Sequence, residues 1–185
     1  MDKFGQELGR DLSWLLTGGL GTAGTWAAGA CGEQFVAQQL EGLGPDWYVT
    51  HDVAVGSRGA NLDHVVVGPA GPFVLNSKYH GDKPVVVQDE VWVNGRRTGH
   101  VEQGRKEAAR ASVALTTSYG CEVLALSLVA VVSAFFAVAR QPQSPTVRVA
   151  HATRLVPFLE GLRRPLHPCQ VKRLTVCVRD RGTWA

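Results

Sequence analysis

Asp63, Asn76 and Lys78 stand at one end of two apolar runs, and an acid, an amide and an amine so placed can hold a divalent cation and a phosphate. The first run is Asn61-Leu62-Asp63-His64-Val65-Val66-Val67-Gly68; after Pro69-Ala70 comes the second, Phe73-Val74-Leu75-Asn76-Ser77-Lys78. Folding the chain about Pro69-Ala70 brings Asp63, at the start of one strand, opposite Asn76, near the end of the other, and strand alternation sets Lys78 on the same face. Val65, Val67 and Val74 lie between them. A strand pair that is apolar through its body and polar at one rim is better explained by chemistry at that rim than by packing. Taken singly, each residue has a plainer use: an Asp at a strand start commonly bonds a turn, and a Lys commonly protects a strand edge.

Upstream, Gly29-Ala30-Cys31-Gly32-Glu33 precedes Phe35, Val36, Leu40 and Leu43. Positions 33, 36, 40 and 43 recur at helical spacing, which predicts a helix with Glu33 on its buried stripe. A carboxylate there needs a partner; its plainer use is as a first-turn group answering the helix dipole.

Taken in order with His51-Asp52-Val53, Arg58-Gly59-Ala60 and Lys78-Tyr79-His80-Gly81, these segments resemble the nuclease-related domain (NERD) family of the PD-(D/E)XK nuclease superfamily. The similarity runs from about Trp26 to about Leu115, more loosely to Leu162, and the ordered set is far more specific than any one motif. The resemblance implies an α/β fold of the restriction-endonuclease type, a mixed central sheet flanked by helices. It also implies Mg²⁺- or Mn²⁺-dependent hydrolysis of DNA phosphodiesters by Glu33, Asp63, Asn76 and Lys78. Glu33, Asp63, Asn76 and the main-chain carbonyl of Ser77 would be the metal ligands, and Lys78 would serve the attacking water. One position departs from the pattern: the superfamily carries Asp or Glu two residues before the lysine, and Asn76 brings an oxygen without a charge. Weakened metal binding is the expected result, and the alternative is a nuclease-like module that binds nucleic acid or a protein partner without cutting.

For nucleic acid, the candidates are Arg58, in the loop before Asp63; His64 and His80, which flank the motif; and Gln103, placed where several superfamily relatives carry a glutamine that contacts nucleic acid or the site water. Arg105, Lys106 and Arg110 complete the set, either as phosphate contacts or as a solvated helix face.

The elements that must position these groups follow from periodicity and punctuation. Gly42-Leu43-Gly44-Pro45 stops the first helix, and Trp47 to Val53 reads as a strand. Val85-Val86-Val87 and Val91-Trp92-Val93 read as a small hairpin flanking the site, with Asn94-Gly95 as a turn. Val101 to about Ser118 reads as a helix with Val101, Ala108, Ala111, Ser112 and Leu115 inward. Thr146 to Val149 predicts a strand, Thr153 to Leu162 a short helix, and Lys172 to Val178 a last strand. Val123 to Ala139 is uncharged and near the lower length for crossing a bilayer. Its Val and Leu content fits two buried strands with a turn near Ser133, the reading that supplies the sheet the site needs; attachment to a membrane through this segment is the alternative.

At 185 residues the chain suits one domain, here residues 26–185, after a glycine-rich flexible lead-in of residues 1–25. The start lacks a basic region followed by an apolar core, which points to the cytoplasm. Cys31, Cys121, Cys169 and Cys177 form no CxxC pair, so reduced thiols are expected rather than a structural zinc site. Net charge is +3, but the basic residues gather late, from Arg140 to Arg181, as either a phosphate-binding surface or a solvated face.

Overall fold

The computed structural model describes residues 24–56 and 60–185. The expected lead-in therefore lies outside the described residues up to position 23, and the first helix already begins at Gly24. In chain order the elements are α1 (Gly24–Leu40), β1 (Tyr48–Val55), β2 (Ala60–Gly68), β3 (Gly71–Gly81), β4 (Val85–Val87), β5 (Val91–Val93), β6 (Arg96–Arg97), α2 (His100–Tyr119), β7 (Leu126–Ser133), β8 (Phe136–Val138), β9 (Val147–His151), α3 (Leu155–Glu160) and α4 (Pro168–Arg179). The fold is α/β and of the restriction-endonuclease type. Its main sheet has the order β1-β2-β3-β7-β9, with β1, β2 and β3 antiparallel and β3, β7 and β9 parallel; β6-β5-β4-β8 form a second, smaller sheet.

The central strands are apolar on both sides because both faces are covered. On one face Val66, Phe73, Leu75 and Leu128 pack with Phe35, Val36 and Leu40 of α1 and with Leu155 and Leu159 of α3. On the other, Leu62, Val65, Val67 and Val74 meet Ala111 and Leu115 of α2 and Leu174 and Val178 of α4. The turn between β2 and β3 is closed by the pair Gly68↔Gly71. Gly68 is obligatory there, because the Trp47 ring lies 2.1 Å from where a Cβ would stand.

One buried carboxylate anchors the start of α2. The residue preceding α2, Gly99, offers no side chain to cap it. Instead the buried Glu90, from the β4–β5 turn, accepts the Val101 N–H at 2.9 Å and the Val91 N–H at 3.0 Å. A helix start leaves main-chain donors unpaired, so this carboxylate ties α2 to the small sheet. The C-terminal end of α2 closes on Gly120 in the left-handed conformation, φ 82°.

Two expectations are corrected. Lys172 to Val178 is the body of α4, not a strand. The alternation of Leu174, Val176 and Val178 resembles a strand, but only Leu174 and Val178, one helical turn apart, are buried, while Val176 is 68% exposed. The helix is set by what precedes it: His167 and Gln170 form a capping box, with Pro168 in the first turn. Second, Glu33 does not lie on the buried stripe of α1. That stripe runs through Gly32, Phe35, Val36 and Leu40, and Glu33 is exposed at its border. Val123 to Ala139 forms β7 and β8, one strand for each sheet, and among the described residues no helix is long and apolar enough to cross a membrane.

Candidate metal and phosphate site

The site arises where β2 and β3 part. Their pairing runs from Gly68↔Gly71 to His64↔Leu75 and stops, while β3 continues alongside β7 through Asn76, Ser77, Lys78 and Tyr79. One step beyond the last pair, Asp63 faces Asn76. The Asp63 carboxylate takes the place of the missing ladder bond, its Oδ2 accepting the Ser77 N–H at 2.7 Å. On the other side of β2, the pairs His51↔His64 and Val53↔Leu62 put Asp52 level with Asp63. Asp52 has φ 58°, a left-handed conformation that Asp tolerates better than most residues, and its Oδ1 accepts from Asn61 Nδ2 at 2.7 Å. Asp52, Asp63 and Asn76 thus form a row across three strands.

Glu33 reaches this row from α1. The helix can approach because Gly32 has no side chain: a Cβ there would lie 2.9 Å from the Tyr79 Cβ. Although Glu33 is exposed, its carboxyl is held above the ordinary range, first by partial burial, then by the charges of Asp63 and Asp52, with Lys78 pulling the other way. Asp63 is also raised, chiefly by burial and further by Asp52, against the opposing Ser77 N–H and Lys78. The charges of Asp52, Asp63 and Lys78 thus all bear on Glu33. Among the described residues the Lys78 ammonium has no ion-pair partner.

Asn76 is 4% exposed. Its Nδ2 donates to both carboxylate oxygens of Glu107 on α2, each at 2.8 Å, while its Oδ1 is buried and has no hydrogen-bond partner among the described residues. Gln103, one turn earlier on α2, donates from Nε2 to Glu107 Oε1 at 2.9 Å. Here too a glycine sets the approach, since a Cβ on Gly104 would lie 2.5 Å from Ser127 Oγ.

The other nucleic-acid candidates separate by exposure. His64 is buried, with Nδ1 2.7 Å from His51 Nδ1 and Nε2 3.1 Å from Ser77 Oγ. Both ring nitrogens are engaged, so this histidine braces Ser77 and presents nothing to a phosphate. Burial first, and then His51, lower its pKa from 6.5 to about 4. His80 stacks on His100 with 3.3 Å between their Nε2 atoms, and burial and the nearby lysines lower both pKa values, that of His100 to about 4. Arg105, Lys106 and Arg110 are exposed on α2; Arg105 and Lys106 pair with Glu102, and Arg110 follows Glu107 on the same edge by one turn. Arg58 lies outside the described residues. Of the late basic residues, Arg179 and Arg181 line a groove that also contains His51 and Asp52.

The candidate ligands from the sequence are all oxygens: the carboxylates of Glu33 and Asp63, Asn76 Oδ1 and the main-chain carbonyl of Ser77. Such a donor set suits a hard ion such as Mg²⁺ or Mn²⁺, and Asn76 Oδ1 is buried without a hydrogen-bond partner among the described residues. Among the described residues, no three His, Cys, Asp or Glu side chains are grouped to hold a metal ion.

Asp52 and Glu107 were not singled out by sequence. For Glu107 a signal existed, since it follows Gln103 at helical spacing; for Asp52 the level with Asp63 depends on the β1–β2 register.

A family model for the nuclease-related domain matches residues 28–132, more than half of the chain. The matched stretch contains Glu33, Asp52, Asp63, Asn76, Lys78, Gln103 and Glu107 and ends in β7. No curated protein and no solved structure matches the chain.

Proposed function

The chain belongs to the nuclease-related domain family, and from that premise we propose that it is a divalent-metal-dependent DNA endonuclease that hydrolyses phosphodiester bonds. The observation that carries this reading is that the charge of Asp63, on a strand, bears on Glu33, on a helix far away in sequence, with Lys78 acting on both and having no ion-pair partner among the described residues. Asp63 raises the pKa of Glu33, and a cation near both carboxylates would relieve that repulsion. Mg²⁺ or Mn²⁺, when bound, supplies a more acidic water and draws in the phosphate. The protein's own groups do the rest. Glu33, Asp63, Asn76 Oδ1 and the Ser77 carbonyl would hold the cation, and Lys78 would orient the attacking water or stabilise charge developing on the phosphate oxygens. His64 braces the Ser77 hydroxyl and so the strand that carries Lys78.

Duplex DNA would cross the site along the exposed edge of α2, with Arg110 and Lys106 on its phosphates, and His80 and Arg58 are further candidates. The groove holding Arg179 and Arg181 extends this path past Asp52. The reading takes residues 26–185 as one domain, because β9 completes the main sheet beside β7 and α4 covers Leu62 and Val65.

The second reading is a nuclease-like module that binds nucleic acid without cutting it. It is favoured by the neutral Asn76 at the strand position where the superfamily has an acid. The test is plasmid incubated with the protein and Mg²⁺ or Mn²⁺, beside Asp63→Ala and Lys78→Ala. Divalent-dependent nicking lost in both variants supports the enzyme; DNA retained without nicking by the parent protein supports the module.

A further inference from the structure

The Asn76 amide cannot sit either way round. With both Glu107 oxygens 2.8 Å from Nδ2, a flipped amide would press Oδ1 against a carboxylate, two acceptors at contact distance. The bond to Gln103 Nε2 keeps the Glu107 carboxylate in place. The amide oxygen is therefore turned away from α2, and it is the atom left buried without a partner. Leaving such an atom unpaired is costly, and a ligand would recover that cost. Donation to a carboxylate also polarises an amide, moving negative charge toward its oxygen. The negative charge missing from the strand is thus present one hydrogen bond away, on the helix.

We infer that Glu107 is a positioning residue for the cation: acting through Asn76, it locks the amide with Oδ1 as a ligand and supplies the negative charge that the strand position lacks. Asn76 and Glu107 together replace a strand carboxylate, with Gln103 as the clamp. This inference rests on the metal-binding reading above.

Mn²⁺ titrated calorimetrically into the full chain tests it. Substitutions that disturb the orientation of a metal ligand commonly weaken affinity by about 10-fold to 100-fold, and Glu107→Gln should weaken Mn²⁺ binding within that range. Moving the charge back to the strand, in Asn76→Asp/Glu107→Gln, should return Mn²⁺ affinity to within about threefold of the parent, a rescue that a merely structural Glu107 would not give. Asn76→Asp alone sets two carboxylates in contact, so in EDTA it should melt below the parent, and Mn²⁺ should remove the difference. Parent protein that binds Mn²⁺ while Glu107→Gln binds it equally well overturns the inference and leaves the nuclease reading intact. Parent and double variant that both bind no Mn²⁺ overturn the metal reading and the inference with it. If Glu107→Gln does not fold, the parent and the double variant still decide: a loss beyond about 10-fold in the double variant overturns the inference.

Discussion

The Asp63 carboxylate accepts the Ser77 main-chain N–H at 2.7 Å, at the point where β2 and β3 stop pairing. One carboxylate therefore closes the hairpin mouth and faces the site, which ties stability to chemistry at this residue. Asp63→Ala should leave a partly buried N–H unpaired and cost about 1–3 kcal/mol in urea unfolding. Asp63→Asn keeps an acceptor and should cost less, yet should abolish nicking as fully as alanine does. Equal urea midpoints for the two variants would show that the hydrogen bond adds nothing to stability.

His64 makes stability depend on pH. Its folded-state pKa of about 4 lies below the ordinary 6.5, so the unfolded chain binds the proton more tightly. The contribution is complete above pH 6.5 and is lost as pH falls toward 4. For this buried group the loss is on the order of 3 kcal/mol. Unfolding free energies measured from pH 7 to pH 4.5 should fall less steeply in His64→Gln than in the parent; identical slopes would refute the assignment.

Gly32 sets the distance between α1 and β3. Gly32→Ala places a methyl group 2.9 Å from the Tyr79 Cβ, which only a shift of the helix can relieve. The cost should be about 1–3 kcal/mol, with loss of Mn²⁺ binding as Glu33 moves away. Gly29→Ala, with open space around the new methyl, is the control and should leave both unchanged.

Arg110 and Lys106 are expected to meet phosphates rather than bases. Replacing either by alanine should weaken binding to every duplex sequence alike and reduce the slope of log K against log salt by about 0.9. A change confined to one sequence would assign base contact instead.

Much of the fold was legible because its signals are local. Glycine and proline mark the C-terminal end of α1 and the β2–β3 turn, and the apolar runs around Val66 and Leu75 require a sheet covered on both faces. Within Val123 to Ala139 only β7 answers that need; the second strand, β8, was expected to be buried but is largely exposed, with Val138 45% exposed, and joins the smaller sheet. Lys172 to Val178 alternates as a strand would, yet the capping residues His167 and Gln170 ahead of it start a helix.

By itself the sequence determined the chemical types at the site: Glu33, Asp63 and Lys78 in order, and an amide where an acid was expected. Periodicity and alternation act within one element, so they could place Asp63 opposite Asn76 and Lys78 on their face. Only the tertiary structure decided what α1, on one face of the sheet, and α2, on the other, bring to that end of the strands. Glu33 arrives at the border of its helix because Gly32 admits Tyr79, and Glu107 meets Asn76 because Gly104 lets α2 settle on Ser127. Approach between elements depends on side chains that are absent as much as on those present, and no spacing along the chain records it.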